Sequence, residues 1–396
     1  MIDIKTGTVR KLVITGLGMA STGLGRVLLE LIRHLRTKWD LSVILHDSDG
    51  SIPIISGVKI LTIDYSLHVY KGLREIQHHL TTIGPDCALF LSQPWKLPSF
   101  LSHIRHAVPE TKIALYMPVE GKPSGDAIAN SASVADLCIV YTHAIRDQLI
   151  NYGLNLAVIG HGCDLDSILS ERKMKRCDLR QQLFPEVEDL WSKTLILNSN
   201  RMYFRKRFDL CIAGFALAAK RIDANLYLHI PGLSRYELNK LRQQIYHLQV
   251  EDRIFINVLN PQGEAISFKD LVRLMQSCDI GLTTSMGEGW GLGTFEHAAT
   301  GAAQIVPDHI GFRENWGPKS AVFVPCDAPF FVENEAVEMF PPSVDGIAGA
   351  LVSLLNSPEE LKKMSCCARQ NAIRKERSWK FISKKFDIAL KRLFEA

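Results

Sequence analysis

The chain has 396 residues, 46% of them apolar and 22% charged, with a net charge of +4 at pH 7. This length suits two α/β domains, and so small a positive charge gives no reason to expect nucleic-acid binding. The nine cysteines form no C-x-x-C pair, which argues against a zinc site and a disulfide framework and favours reduced thiols.

The sequence shows no signal for membrane insertion or export. No stretch reaches about 18 uninterrupted apolar residues. The amino terminus carries only the strand-length apolar run Leu12–Ile14 and no cleavage-like site. We therefore expect a cytoplasmic protein without a transmembrane segment, while peripheral membrane contact stays open.

Strands alternate with helices along the first half of the chain, which is typical of a parallel, doubly wound sheet. Short apolar runs predict strands at Lys11–Leu17, Ser42–His46, Val58–Ile63, Cys87–Ser92, Ile113–Met117 and Ala135–Tyr141. Helical spacing predicts helices at Arg26–Leu35, Leu67–Ile83 and Ala144–Tyr152. The loop between the first strand and the first helix contains Gly23 and Gly25 but no G-x-G-x-x-G. These glycines serve either a ligand or only the tight turn.

The second half repeats this alternation after a charged, weakly periodic stretch. That stretch, Leu165–Ser192, predicts an interdomain segment. Strands are predicted at Thr194–Asn198, Asn225–Ile230, Arg253–Val258, Ile280–Thr284 and Ala321–Val324. Helices are predicted at Phe268–Cys278, from Thr294 to a C-cap at Gly301, and at Val344–Leu355, Pro358–Arg377 and Ser378–Phe394.

The most informative stretch is the glycine-rich loop before the helix that starts at Thr294. Its glycines occupy alternate positions from Gly287 to Gly293, so free N–H groups at a helix N-terminus can meet an anion. Glu288 and Glu296 lie eight positions apart on either side. Carboxylates beside a phosphate cradle suggest that they bind hydroxyls, and this combination indicates a nucleotide-sugar. The alternative is a buried strand–turn–helix with two solvated glutamates.

Glu288-(Gly-Trp-Gly-Leu-Gly-Thr-Phe)-Glu296 resembles the E-x7-E signature of retaining glycosyltransferases with the GT-B fold, in particular glycosyltransferase family 4. The resemblance implies an α/β protein with two Rossmann-like, doubly wound domains facing a central cleft. We expect an acceptor-side domain at residues 1–175 and a nucleotide-sugar-binding domain at residues 190–376. A terminal helix at residues 377–396 would return to the first domain.

A second segment, Asn200–Asp209, resembles the family element G-R-(x)4-K-G-x-D. Arg201 and Lys206 are five apart, as in that element, and the resemblance implies that they bind the donor diphosphate. Planar guanidinium and mobile ammonium groups both suit phosphate oxygens. Asn200 and Arg207 replace glycines, so a different loop shape is expected. A solvated basic run is the alternative.

The resemblance also assigns roles to single residues. Glu296 would bind the ribose, and Glu288 would contact the transferred sugar next to the reacting carbon. The phosphates would meet the backbone of four residues, Gly291, Leu292, Gly293 and Thr294. A glycine loop like that of Gly23 and Gly25 faces the donor in such enzymes. No histidine follows the strand Ile113–Met117, so Glu120 is the candidate to accept the acceptor proton, or else an exposed loop carboxylate.

We expect no metal and no cofactor. Asp47-Ser-Asp49 and Asp164-Leu-Asp166 spell D-x-D, but turn formation and helix capping explain them. The expected reaction moves a sugar from a nucleoside diphosphate to a hydroxyl of a sugar, a lipid-linked or a protein acceptor, with retention. The alternatives are another GT-B enzyme, such as an epimerase, or a non-catalytic sugar-nucleotide-binding protein. A phosphorylase would need a pyridoxal phosphate lysine site, which is not identifiable.

Overall fold

The structure is a computed structural model that describes residues 9–63, 69–93, 98–171 and 174–395. The chain forms two compact units. The first runs to Gly162 and also includes Phe331–Val337 and the chain from Glu376 onward. The second comprises Cys163–Phe330 and Glu338–Lys375. The predicted domain limits at residues 175, 190 and 376 stay predictions.

The first unit is built on a parallel sheet. Its strands are β1 (Lys11–Leu17), β2 (Asp40–His46), β3 (Lys59–Ile63), β4 (Cys87–Leu91), β5 (Lys112–Met117), β7 (Leu137–Val140) and β8 (Leu156–Val158), with a short β6 (Lys122–Pro123) apart from it. The order β3-β2-β1-β4-β5-β7-β8 is that of a doubly wound sheet. Every residue of β4 and β7 is buried, because helices cover both faces of a parallel sheet.

Five helices accompany these strands in the chain. They are α1 (Gly23–Leu35), α2 (Val69–Ile83), α3 (Pro98–Ala107), α4 (Ala127–Ala132) and α5 (His143–Leu149). The predicted helix Leu67–Ile83 includes Leu67 and His68, which lie outside the described residues.

The second unit has its own parallel sheet, of order β11-β10-β9-β12-β13-β14. Its strands are β9 (Thr194–Ser199), β10 (Ala224–His229), β11 (Ile254–Ile256), β12 (Ile280–Leu282), β13 (Ala303–Pro307) and β14 (Val322–Val324). Its helices are α6 (Leu165–Ser170), α7 (Arg176–Leu183), α8 (Asp189–Ser192), α9 (Phe208–Ala219), α10 (Arg235–His247), α11 (Phe268–Ser277), α12 (Leu292–Ala299), α13 (Ile310–Arg313), α14 (Val344–Leu355) and α15 (Pro358–Ala372). Two short strands, β15 (Phe330–Val332) and β16 (Val337–Met339), lie at the two ends of the segment Phe331–Val337 that belongs to the first unit.

The last helix, α16 (Trp379–Arg392), packs with the first unit. The Trp39 indole donates to Asp387 at 3.0 Å, and Phe386 meets Tyr116 edge-to-face at 4.8 Å. Ser378 caps its start by accepting from the Phe381 amide at 3.3 Å. Among the described residues, no helix combines the length and hydropathy that a membrane crossing requires.

The predicted interdomain segment Leu165–Ser192 is in fact largely helical, since it holds α6, α7 and α8. Its Arg172 and Lys173 lie outside the described residues. Arg180 on α7 is buried and donates to the Ser277 carbonyl at 2.7 Å and to Asp279 at 2.5 Å. The segment showed little apolar periodicity because α7 is held by buried hydrogen bonds of Arg180 as well as by apolar contacts.

Candidate active site

The three central strands of the second sheet end at one edge, and the predicted donor residues follow them. β9, β12 and β13 are parallel neighbours, so their carboxyl ends meet where ligands bind in open α/β sheets. The basic segment 200–207 follows β9, the glycine loop 283–291 follows β12, and segment 308–313 follows β13. Contacts among these three segments build the site.

Glu288 lies in the glycine loop and is held by two cations. Lys206 Nζ donates to Glu288 Oε1, and Arg205 Nη1 lies 3.2 Å from the same oxygen. Only 12% of the Glu288 side chain is exposed. Burial raises the pKa of Glu288, but the charges of Lys206 and Arg205 and hydrogen bonds from Lys206 and Ser285 outweigh it and lower the pKa to about 2. The carboxylate is therefore ionised near neutral pH.

Arg205 is about as buried as Lys206, with 10% and 11% of their side chains exposed, and it was not predicted as a site residue. Its Nη1 donates to the Gly287 carbonyl at 2.7 Å and to Ser285 Oγ at 3.1 Å. The Met286 amide donates to the Arg205 carbonyl at 2.9 Å. In sequence Arg205 is one of three consecutive basic residues, and such a run contains no signal that separates a buried guanidinium from a solvated one.

The backbone at Lys206 and Arg207 is held by a side chain that lies two residues after β12. Thr284 Oγ1 lies within donating distance of the carbonyls of Lys206 (2.8 Å) and Arg207 (3.0 Å). Arg207 is left-handed, with a φ of 47°, which glycine adopts without steric cost. Its guanidinium donates to both oxygens of Asp209, at 2.9 and 2.7 Å. The glycine of the resembled motif would adopt this conformation without strain, and the different loop shape expected from Asn200 and Arg207 stays a prediction.

The glycine loop leads into α12 through Gly291, whose φ is 79°. A Cβ there would lie 2.5 Å from the Phe312 ring, so the position requires glycine. The Thr294 amide donates to the Gly291 carbonyl at 3.0 Å, and this predicted phosphate ligand therefore already has an acceptor. Glu296, on the second turn of α12, is 2% exposed. The N-terminus of α12, with its positive dipole end, therefore lies between Glu288 in the loop and Glu296 on the helix.

The structure brings Lys206, and not Arg201, to Glu288. Arg201 is exposed at the start of the basic segment, two residues after β9. His309, which was not predicted as a site residue, lies two residues after β13 at the same sheet edge and is 4% exposed. Its position past a parallel strand was the signal that could have identified it.

The remaining predicted residues lie in the first unit. Glu120 is half-buried beyond β5, and its charge adds to burial in raising the pKa of the Tyr141 hydroxyl. The Gly25 amide donates to Thr22 Oγ1 at 2.9 Å, and a Cβ on Gly25 would lie 1.8 Å from the Met19 carbonyl. The helix turn therefore requires Gly25, whereas Gly23 faces open space.

In each D-x-D pair, one aspartate accepts a hydrogen bond from a nearby backbone amide in a turn or at a helix start. Ser51 donates to Asp49 through its amide, at 2.9 Å, and Asp164 caps α6 by accepting from the Ser167 amide at 3.1 Å. Within the described ranges, no group of three or more His, Cys, Asp and Glu side chains is arranged to hold a metal ion.

Residues 181–371 match the family model for glycosyl transferases group 1. Among solved structures, the chain is similar to Anabaena HepE in complex with UDP and glucose, with a TM-score of 0.74 and 14% identity over 97% of this chain and 100% of that one. It is also similar to the sucrose-phosphate synthase of Thermosynechococcus elongatus, with a TM-score of 0.76 and 14% identity over 98% and 99%. This protein is a glycosyltransferase. No curated protein sequence matches it.

A third solved structure similar to this glycosyltransferase is the E. coli trehalose-6-phosphate protein bound with UDP-2-fluoro glucose, with a TM-score of 0.70 and 13% identity over 96% and 99%. The whole-length likenesses confirm the predicted GT-B fold with two Rossmann-like units. The residues that match the glycosyltransferase family model contain the basic segment, Glu288 and α12.

Proposed function

We propose that this glycosyltransferase is a family 4 enzyme that transfers a hexose from a UDP-hexose to an acceptor hydroxyl with retention and without a metal. The observation that carries the proposal is the ionised carboxylate of Glu288. It pairs with both Arg205 and Lys206 and lies in the loop that leads into the N-terminus of α12. UDP and glucose are the first donor parts to test, because HepE and the E. coli protein were solved with uridine nucleotides and sugars.

Lys206 is assigned to the donor diphosphate, together with Arg201 and the backbone amides of Gly291, Leu292 and Gly293, because the Thr294 amide already donates to the Gly291 carbonyl. Because two cations face one carboxylate at Glu288, Lys206 can turn to a phosphate while Arg205 keeps the carboxylate paired. The ammonium and guanidinium groups would neutralise the charge that builds on the departing UDP. Glu296 is assigned to the ribose hydroxyls.

Glu288 is assigned to the transferred sugar. An ionised carboxylate beside the anomeric carbon stabilises positive charge as the bond to phosphate breaks. A carboxylate that two cations hold is a weak nucleophile, since its charge is already compensated. We therefore assign retention to departure of UDP and arrival of the acceptor hydroxyl on the same face of the sugar, without a glycosyl-enzyme.

The acceptor side rests on Glu120, which we propose as a base for the hydroxyl proton. The acceptor itself stays at the level of a hydroxyl on a sugar, a lipid-linked molecule or a protein. We also propose the cytoplasm as the location, because all nine cysteines are free thiols.

The test follows UDP release and the anomeric form of the product with UDP-glucose, in buffer with EDTA. We expect an α-configured product, full activity in EDTA, and loss of activity in the Arg201→Ala, Lys206→Ala double variant. A β-configured product would refute retention. Activity that EDTA abolishes and Mn²⁺ restores would refute metal independence. If the double variant kept full turnover, the donor-site assignment would be wrong.

A further inference from the structure

His309 connects segment 308–313 to the loop that carries Glu288. Its Nε2 lies 2.9 Å from the Ser285 carbonyl, and the Gly311 amide donates to its Nδ1 at 3.2 Å. Nδ1 is therefore the unprotonated nitrogen, and Nε2–H donates to Ser285. Burial, the largest cause, lowers the pKa of His309 to about 4. The ring is neutral near pH 7, and this arrangement of donor and acceptor is fixed.

Ser285 lies at the base of the loop and connects His309 to the residues next to Glu288. Its Oγ donates to the Gly287 carbonyl at 2.9 Å and accepts from Arg205 at 3.1 Å. Ser285 is hydrogen-bonded to Gly287, and Gly287 directly precedes Glu288. A shift of the Ser285 backbone is therefore expected to move the Glu288 carboxylate as well.

Gly311 and Phe312, two and three residues after His309, lie against the same loop. A Cβ on Gly311 would lie 2.0 Å from the Glu288 carbonyl oxygen, so the two backbones are in direct contact. The Phe312 ring lies against Gly291, where a Cβ would be 2.5 Å away. Segment 309–312 thus touches the loop at its base, at Glu288 and at its junction with α12.

We propose that His309 is a positioning residue, whose bond to Ser285 sets the backbone from which Glu288 faces the reacting sugar. The proposal rests on the proposed function of Glu288. Groups that act in a transition state need such support, because a displacement of about 1 Å can reduce the rate about 10²-fold. The competing view is that His309 only caps α13 and supports folding.

Two substitutions separate these roles. In His309→Gln the amide nitrogen can replace Nε2 and donate to Ser285, while the cap on Gly311 is lost. In His309→Asn the shorter side chain can accept from Gly311, while the bond to Ser285 is lost. Gly311→Ala perturbs Glu288 from the other side, with Gly317→Ala as its control because Gly317 faces open space.

The measurements are the rate of UDP release from UDP-glucose with water as acceptor, the KM for UDP-glucose, and Tm. We expect His309→Asn and Gly311→Ala to lose about tenfold or more in kcat with KM changed less than about threefold, and His309→Gln and Gly317→Ala to stay near wild type. If His309→Asn kept the wild-type kcat, or if both His309 variants lost kcat in step with Tm, the proposal would be overturned. Wild-type protein that released no UDP would refute the proposed function itself, and the inference with it.

Discussion

Lys206 and Glu288 form an ion pair although 82 positions of sequence separate them. Lys206 follows β9 and Glu288 follows β12, and the two strands are neighbours in the second sheet. The pair joins the basic motif and the E-x7-E motif into one charge system. A change to either residue therefore alters the charge balance of both motifs.

Removal of the Glu288 charge should separate binding from turnover. In Glu288→Gln, Lys206 no longer has a carboxylate partner, so UDP should bind about threefold or more tightly, while kcat falls by about 10²-fold. Calorimetric titration with UDP and steady-state rates with UDP-glucose measure the two effects. Glu264→Gln, at an exposed position, is the control. Weaker UDP binding in Glu288→Gln would contradict the proposal that Lys206 leaves Glu288 to bind a phosphate of UDP.

Arg205 and Lys206 should differ although both face Glu288. Arg205→Met removes bonds to Gly287 and Ser285 as well as a charge, so unfolding free energy should fall by roughly 3 kcal/mol. Lys206→Met should weaken UDP binding about tenfold or more, with a smaller loss of stability. Denaturant unfolding and UDP titration of both variants make the comparison. Similar stability losses in the two variants would show that Arg205 is no more structural than Lys206.

The pKa of Glu288 predicts a specific loss of stability in acid. Its folded value of about 2 lies below the ordinary 4.5, so the unfolded chain binds the proton first as pH falls. The contribution, on the order of 3 kcal/mol, is complete above pH 4.5 and is lost between pH 4.5 and 2. Burial also lowers the pKa of histidines such as His161, to about 3. The unfolded chain therefore binds these protons first, and the folded protein loses stability as the pH falls below about 6.5. Unfolding of wild type against Glu288→Gln from pH 7 to 3 isolates the glutamate, and parallel curves below pH 4.5 would contradict the assignment.

Arg207 should tolerate glycine better than alanine. Both substitutions remove the exposed pair with Asp209, but only glycine relieves the left-handed backbone. Arg207→Gly should therefore be more stable than Arg207→Ala by about 1 kcal/mol, as measured by denaturant unfolding. Equal stabilities would mean that the turn relaxes out of the left-handed region in the alanine variant.

Most strands of the two sheets could be predicted because buried parallel strands appear as apolar runs, but the buried strand β13 was missed. β1 and α14 have the predicted bounds. Helices α9 and α10 were missed, and the reasons differ. α9 is apolar around much of its circumference, which hides a periodic stripe. α10 buries only two side chains, Leu241 and Ile245.

The site could be predicted only where a motif fixes residue types at fixed spacing. Lys206, Glu288 and Glu296 stood out in this way. Arg205 and His309 are buried and have partners in the glycine loop that follows β12, and neither property is visible in the local sequence. Arg201 has the motif's spacing but is exposed, so its diphosphate contact stays a prediction.

The return of α16 to the first unit imposes an order on synthesis. Domains generally fold as units while the chain emerges, but Tyr116 and Trp39 have their partners Phe386 and Asp387 more than two hundred residues later. The entire second unit must leave the ribosome before these contacts can form. The first unit to be made is therefore the last to be completed, and its helix α1, which contacts α16, stays uncovered on that side until α16 has been made.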